Sequence, residues 1–398
     1  MAKIKLVSLL SLVGLLGALG YGSVGRSQAV QPSVQLVTEP PISQLLLPFE
    51  ADAAQLQKPV QLRLQALDAT GKPLQNANIQ IKLLTPPENP WLPTDFPIVE
   101  GTKLLDLAAI ATQGQLQFQQ MLPIRGEYQL QVEVTPTVAN AFSPFQQTLT
   151  LPVAENSIKY RNFAILVVIL LGVGFGGGWV IGGKQELQPG EIAPQRVRLL
   201  LSGTIVVAIA ALLVVNISAE LSHSHEHSHE HKHGDEAIAA LPSSLNTQGL
   251  EVKLLGHHHA TVGEPAELVV QAIDTKAGKP ATDVVFDIKA KSLEAGWVAF
   301  AHQATPNNQG EFTWQQQFFD GAPHQVEVEV APKPNAARQF APFKVAQEIE
   351  VEGIEPPLRS RLLGLGYFVS ILLVGLGLGL WVQQRRQPRS QLDSKALN

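Results

Sequence analysis

The chain contains no cysteine, which excludes intramolecular disulfides, thiolate metal sites and cysteine nucleophiles together. Methionine is nearly absent too, at two residues including the initiator. Any soft or borderline metal must therefore be held by histidine, carboxylate or methionine. Charge is sparse at 16% of residues, and the net charge of −5 leaves no basic footprint, so nucleic acid is not an expected partner. No serine elbow, phosphate loop or paired carboxylates in a recognisable motif are present, and no enzyme activity is expected. A near phosphate loop, Gly178 to Lys184 (GWVIGGK), has Gln185 where Ser or Thr is required and lies in an apolar run. Histidine is missing from most of the chain: all eleven lie between residues 223 and 324.

Six of these, His223, His225, His227, His229, His231 and His233, fall at every second position of LSHSHEHSHEHKHGDE, residues 221 to 236. Neutral imidazole is a common ligand for zinc, nickel, copper and cobalt. In an extended backbone, side chains at i and i+2 point the same way, so the six rings can line one edge as a metal-gathering strip. Two other readings stay open. The stretch has no apolar residue from Ser222 to Glu236, and so also reads as a solvated spacer. It would also gain positive charge as pH falls through the histidine range. The formal HExxH matches at His225 to His229 and His229 to His233 follow from a two-letter alternation with no apolar helical face, which argues against a zinc peptidase.

At 398 residues the chain has room for two or three domains, and a mean hydropathy of +0.09 suits membrane segments mixed with globular sequence. Residues 1–29 run from basic (Lys3, Lys5) through apolar (Leu6 to Leu19) to small and polar. This is the order of a secretory signal with cleavage after Ala29, or of an uncleaved anchor. Residues 30–158 alternate apolar and polar at Val60–Leu67, Asn78–Leu83, Gln115–Phe118 and Tyr128–Val134, with turn letters between, as in a β-sandwich. Three uncharged runs, 163–182, 199–218 and 362–382, are long enough to cross a bilayer. Gly174, Gly178 and Gly182 place small residues along one face of the first, which permits close helix packing. Lys184, Arg196 and Arg198 in the loop 183–198, and Arg385, Arg386 and Arg389 in the tail 383–398, suit the cytoplasmic side. Both large domains, and the histidine-rich loop 219–247, then lie outside a bacterial inner or plasma membrane.

The second domain, 248–353, repeats the first. Pro59 to Asp68 matches Pro265 to Asp274, and Gly71-Lys72-Pro73 matches Gly278-Lys279-Pro280. Gly114 matches Gly310, QVEV at 131–134 matches EVEV at 327–330, and FSPF at 142–145 matches FAPF at 340–343. Five matches in order imply duplication of a sandwich-plus-anchor unit. Within the second copy, His257, His258 and His259 precede the Gly263-Glu264-Pro265 turn, while His302 and His324 are expected in or beside loops. The triplet and His324 join the strip as candidate metal ligands.

Through Gly278-Lys279-Pro280, Gly310-Glu311-Phe312, Phe318, Gly321-Ala322-Pro323-His324 and Val326-Glu327-Val328, the second domain resembles the YtkA-like (FixH-like) family. The resemblance implies an exported, membrane-tethered immunoglobulin-like module with a role in handling copper or other metals. Any such role would apply to the second copy alone, since the first has Arg125-Gly126-Glu127-Tyr128 where the second has His324. The plan also resembles extracytoplasmic subunits of nickel and cobalt uptake systems and the histidine-rich loops of zinc transporters. The expected protein is thus all-β, with two immunoglobulin-like sandwiches plus transmembrane helices. It would bind nickel, zinc, cobalt or copper for a membrane metal transporter or metal-receiving protein. The competing expectation is an interaction or assembly module whose histidine strip is a spacer.

Overall fold

The computed structural model describes residues 31–42, 44, 46–50, 56–183, 197–198, 202 and 242–386. The expected signal or anchor, residues 1–29, most of the loop 183–198, nearly all of the 199–218 run, the six-histidine strip and the tail beyond residue 386 lie outside these described residues.

Period-two alternation becomes strand wherever the sequence shows it. The first copy contains β1 (Ser33–Glu39), β2 (Val60–Leu67), β3 (Ala77–Leu84), β4 (Lys103–Ala111), β5 (Gln115–Gln120), β6 (Gly126–Pro136) and β7 (Phe145–Val153). The second contains β8 (Ser244–Thr247), β9 (Leu250–Gly256), β10 (His259–Thr261), β11 (Pro265–Asp274), β12 (Lys279–Pro280), β13 (Val284–Ser292), β14 (Val298–Ala304), β15 (Glu311–Gln317), β16 (His324–Pro332) and β17 (Phe343–Glu352). Within each copy the strands form two facing layers, 1-2-5 over 4-3-6-7 in the first and 8-9-11-15 over 14-13-16-17-10 in the second. This is an immunoglobulin-like order. Tyr128, fully buried at the start of β6, completes the likeness: its hydroxyl donates to Ile124 O at 2.8 Å and accepts from Ile124 N–H at 2.9 Å. A tyrosine bonded back to the chain at this corner is a recurrent device of such sandwiches.

The repeated letters have matching structural work. The Asp68 carboxylate accepts from Thr70 and Lys72 N–H, and Asp274 accepts from Lys276 and Ala277 N–H, closing equivalent turns. Gly114 and Gly310 have φ of +65° and +76°, and their carbonyls accept from Ala66 and Ala272 N–H at 2.8 Å in each case. A side chain at either glycine would collide with backbone of the neighbouring turn.

The two copies are not separate bodies. Strand β5 pairs with β14, through Gln120–Phe300 to Phe118–His302, and β4 pairs with β15, through Leu107–Trp314 to Leu105–Gln316. Each layer of one copy therefore continues into a layer of the other, giving one sheet of eight strands and one of nine. At the spacing that aligns the QVEV and EVEV segments, Phe118 corresponds to Trp314 and Gln120 to Gln316, so the junction has approximate two-fold symmetry. Polar detail follows it, because buried Gln120 and Gln316 each donate to the carbonyl of the next residue. Each junction ladder has only three residue pairs, and a hydrogen bond contributes a net ~0.5–1.5 kcal/mol. Burial of Leu107, Phe118, Phe300 and Trp314, none more than 1% exposed, outweighs the ladders at ~1.5–3 kcal/mol per large apolar side chain. Beside it, Phe49 of the first copy packs on Trp297 and Phe319 of the second, with ring centroids 4.7 and 5.2 Å apart.

Two helices follow the sandwiches, α1 (Ser157–Ile181) after β7 and α2 (Leu358–Arg386) after β17. Asn156 caps α1 by accepting from Ile158 N–H. Both are long and apolar enough to cross a membrane, with mean hydropathies of 2.4 and 2.1 over their most apolar stretches. They pack on each other through glycine. A Cβ on Gly174 or Gly178 would strike the carbonyls of Leu372 or Leu376, and one on Gly375 or Gly379 would strike those of Leu171 or Phe175. The partner of the glycine stripe is thus the other helix of the same chain, with the backbones in contact.

This contact predicts a cross-link. A Cβ on Gly182 lies 3.2 Å from Gln383 Cβ, close to disulfide spacing. With no native cysteine, Gly182→Cys combined with Gln383→Cys should oxidise within one chain, read as a mobility shift under non-reducing electrophoresis. Adding Gly178→Leu should reduce the cross-linked fraction several-fold. Equal cross-linking with and without the leucine would contradict backbone contact.

Candidate metal-binding residues

The chain leaves the β9 layer at Gly256, where φ is +122°, and crosses to the opposite layer to run parallel with β17 as β10. His257 and His258 are the crossing and His259 opens β10 on its outer face, so none of the three turns into the core, and all are exposed. His257 Nδ1 accepts from Glu267 N–H at 3.2 Å. The His258 carbonyl accepts from Glu350 N–H at 2.9 Å. His259 pairs with Glu350, and its Nδ1 lies 3.2 Å from Glu350 Oε2 on the outer face. The exposed donors here are therefore three imidazoles in a row, with one carboxylate beside the third. Glu350 was not a sequence candidate, because a parallel pairing across ninety residues leaves no local trace.

His302 is elsewhere than expected, inside a strand, whereas His324 stands beside a loop as expected, at the first position of its strand; both are buried. His324 opens β16 and is fully buried between Trp297 and Phe318, with ring centroids 5.4 and 4.7 Å away. Its Nδ1–H donates to Ala322 O at 2.8 Å, and its Nε2 lies 3.6 Å from Asp320 Oδ1. In the alignment of copies it occupies the place of Tyr128, and like that tyrosine it bonds back to its own corner. His302 lies mid-strand in β14 and is 5% exposed; the symmetry of the junction pairs makes it the counterpart of Leu107. Its Nδ1–H donates to Gln117 O at 2.9 Å across the junction between copies. Apolar neighbours in the core, not loop position, decide both environments.

His324 pairs with Ile349 on the inner face, and His259 pairs with Glu350 on the outer face of the same sheet. The sheet separates them, so His324 shares no site with the triplet. Among the described residues no three His, Asp or Glu side chains converge on one point as a ready metal cage.

Burial pushes the His324 imidazole down to about 4, against a smaller opposing effect of the Ala322 carbonyl. Burial also lifts the Asp320 carboxyl to about 6, with Glu294 adding to the rise. His302 is likewise lowered by burial. At neutral pH the buried pair is thus a neutral histidine beside a carboxylate that sheds its proton reluctantly.

In sequence, no protein-family model and no curated protein matches the chain. Among solved structures, a conjugative transposon lipoprotein from Bacteroides eggerthii aligns at 11% identity and a TM-score of 0.19, over 26% of this chain and 98% of its own. Trypsin-activated alpha-2-macroglobulin from Escherichia coli aligns at 11% identity and a TM-score of 0.21, over 80% of this chain and 16% of its own. Invasin, a bacterial integrin-binding protein, aligns at 10% identity and a TM-score of 0.19, over 79% of this chain and 38% of its own. The chain thus spans well under half of the latter two. Similarity at this level carries no functional information.

The buried pair predicts opposing pH effects. The unfolded chain takes up more protons than folded His324 between about pH 4 and 6.5, so the stability from the neutral ring is full above 6.5 and lost as pH falls toward 4. Folded Asp320 holds its proton between 3.8 and about 6, so its contribution is full below 3.8 and lost as pH rises through 6. In Asp320→Asn only the histidine effect remains. Urea unfolding of the detergent-solubilised chain should show stability climbing more steeply from pH 4 to 6.5 in the variant than in the parent; parallel curves would contradict the pairing.

Proposed function

We propose that this chain gathers transition metal ions on the outer side of a membrane and holds them for a membrane partner, a transporter or a metal-receiving protein. The observation that carries this reading is the distribution of imidazole. All eleven histidines belong to the second copy and the strip before it. Three of the five in the described part stand exposed at one sheet edge, with the Glu350 carboxylate beside His259. A duplication that leaves one copy without histidine points to a role placed in the other. Imidazole and carboxylate suit nickel, zinc, cobalt and copper, and the resemblance to YtkA-like modules agrees with metal handling.

In this reading the segment 199–218 is a further span that returns the chain to the outside. The strip from His223 to His233 then collects ions and the His257–His259 edge with Glu350 receives them. The two helices hold both copies on the outer face. His302 and His324 serve the fold instead, one crossing the junction and one fastening a corner. The three apolar runs carry no acidic or histidine residue, so the path through the membrane belongs to the partner.

Calorimetric titration of nickel, zinc and copper into the detergent-solubilised full chain tests this. Saturable binding should lose most of its stoichiometry when residues 222–236 are deleted. The remainder should fall at least tenfold in affinity in His257→Ala/His258→Ala/His259→Ala. Weak binding that is unchanged by either alteration would contradict the proposal and turn the strip into a spacer.

A further inference from the structure

The connection between β3 and β4, residues 85–102, carries two side chains the fold does not cover: Trp91 is 69% exposed and Leu92 58%. The backbone that presents them is firmly braced. Asn89 Oδ1 accepts from Trp91 and Leu92 N–H at 3.0 and 3.1 Å. Glu100 accepts from Thr94 N–H at 2.7 Å, and Arg125 donates to the Leu92 and Pro93 carbonyls at 3.3 Å. Lys159, in the first turn of α1, pairs with Asp95. A loop held this tightly, with two large apolar side chains left in water, gains nothing from them in folding.

The place of the loop supplies the missing surface. Tyr367 Oη donates to Trp91 O at 2.7 Å, so the loop lies against α2. Side chains in a helix lean toward its N-terminus, which sets the Tyr367 hydroxyl about one turn back, near Leu362 and Leu363. Those two leucines line an apolar notch together with Trp91. This is the level at which α2 changes from Arg359 and Arg361 to uncharged sequence, and Arg359 also pairs with Glu88 of the loop at 3.5 Å. Tryptophan and tyrosine favour this boundary because one end of the ring system is apolar and the other polar.

We propose that Trp91 and Leu92 are a lipid-binding tip, seated in the headgroup and upper acyl region of the bilayer that α1 and α2 cross. The occupant is the lipid surface, because the tip is continuous with the exposed apolar faces of the two helices and flanked by their basic ends, Lys159, Arg161, Arg359 and Arg361. The sandwich thereby has a third contact with the membrane, distant in sequence from the helices, which fixes its tilt and the height of the second copy's histidine edge. This inference rests on the reading of α1 and α2 as spans.

The absence of native cysteine makes the test direct. Leu92→Cys, Val374→Cys and Val138→Cys are each labelled with an environment-sensitive fluorophore in the full chain and reconstituted into phosphatidylcholine vesicles containing equal parts of lipid with a nitroxide near the headgroup and lipid with one at mid-chain. Val374 is 57% exposed on α2, and Val138 is 60% exposed at the opposite end of the first copy. The label at 92 should be quenched several-fold more than that at 138 and to at least half the extent of that at 374. Quenching at 374 with none at 92 would overturn the lipid-binding tip alone. No quenching at 374 would overturn the spans, and the tip with them.

Discussion

Two short strand pairings, β5 with β14 and β4 with β15, turn two sandwiches into one, and the rest of the structure depends on them. Duplicated β-domains joined by a flexible linker would tumble independently, and their exposed edges would invite other chains. Here each copy covers an edge of the other in both layers, and the core residues beneath are shared. The two three-pair ladders could not hold this alone. The aromatic and leucine side chains that meet across the junction supply most of the stability, and the ladders fix register and direction.

The same logic is repeated in the helices. Strands β7 and β17 each lead into one, and α1 and α2 approach until only glycine fits between them. Two copies joined in the sheets and joined again in the helices have little freedom left. Duplication thus creates a division of work. The first copy carries Tyr128 and Leu107 where the second carries His324 and His302, and it has no histidine of its own. It serves as a brace, while the second copy displays the imidazoles at positions 257–259.

Much of this could be read from letters, and the limits have physical causes. Strand β2 falls on the alternation at Val60–Leu67, because one face is core and the other water. The matched Asp68 and Asp274, and Gly114 and Gly310, mark turns where only those residue types close the geometry. The helices were legible from hydropathy, and their mutual contact was half legible from the glycine stripe. What could not be read was the joining of copies, since an edge strand that meets a second domain alternates like one that meets solvent. Three-residue β10 is too short for any period, so Glu350 beside His259 stayed hidden. His324 reads as a residue in or beside a loop, which says nothing of its burial, although alignment with buried Tyr128 held the clue. Trp91 sits among Pro86, Pro87, Pro90 and Pro93, where no period informs, and only its position beside Tyr367 gives it a surface to meet.

The first copy braces the second through a continuous double sheet. Hydrogen exchange of the detergent-solubilised full chain, read by mass spectrometry on peptides spanning 103–121 and 298–317, tests it most directly. The amides at the junction should be protected as strongly as those of the inner strands β3 and β13 and should open together with them. Junction amides that exchange orders of magnitude faster than β3 and β13, at the pace of outer strands such as β1 and β8, would show two loosely tethered domains and contradict the account.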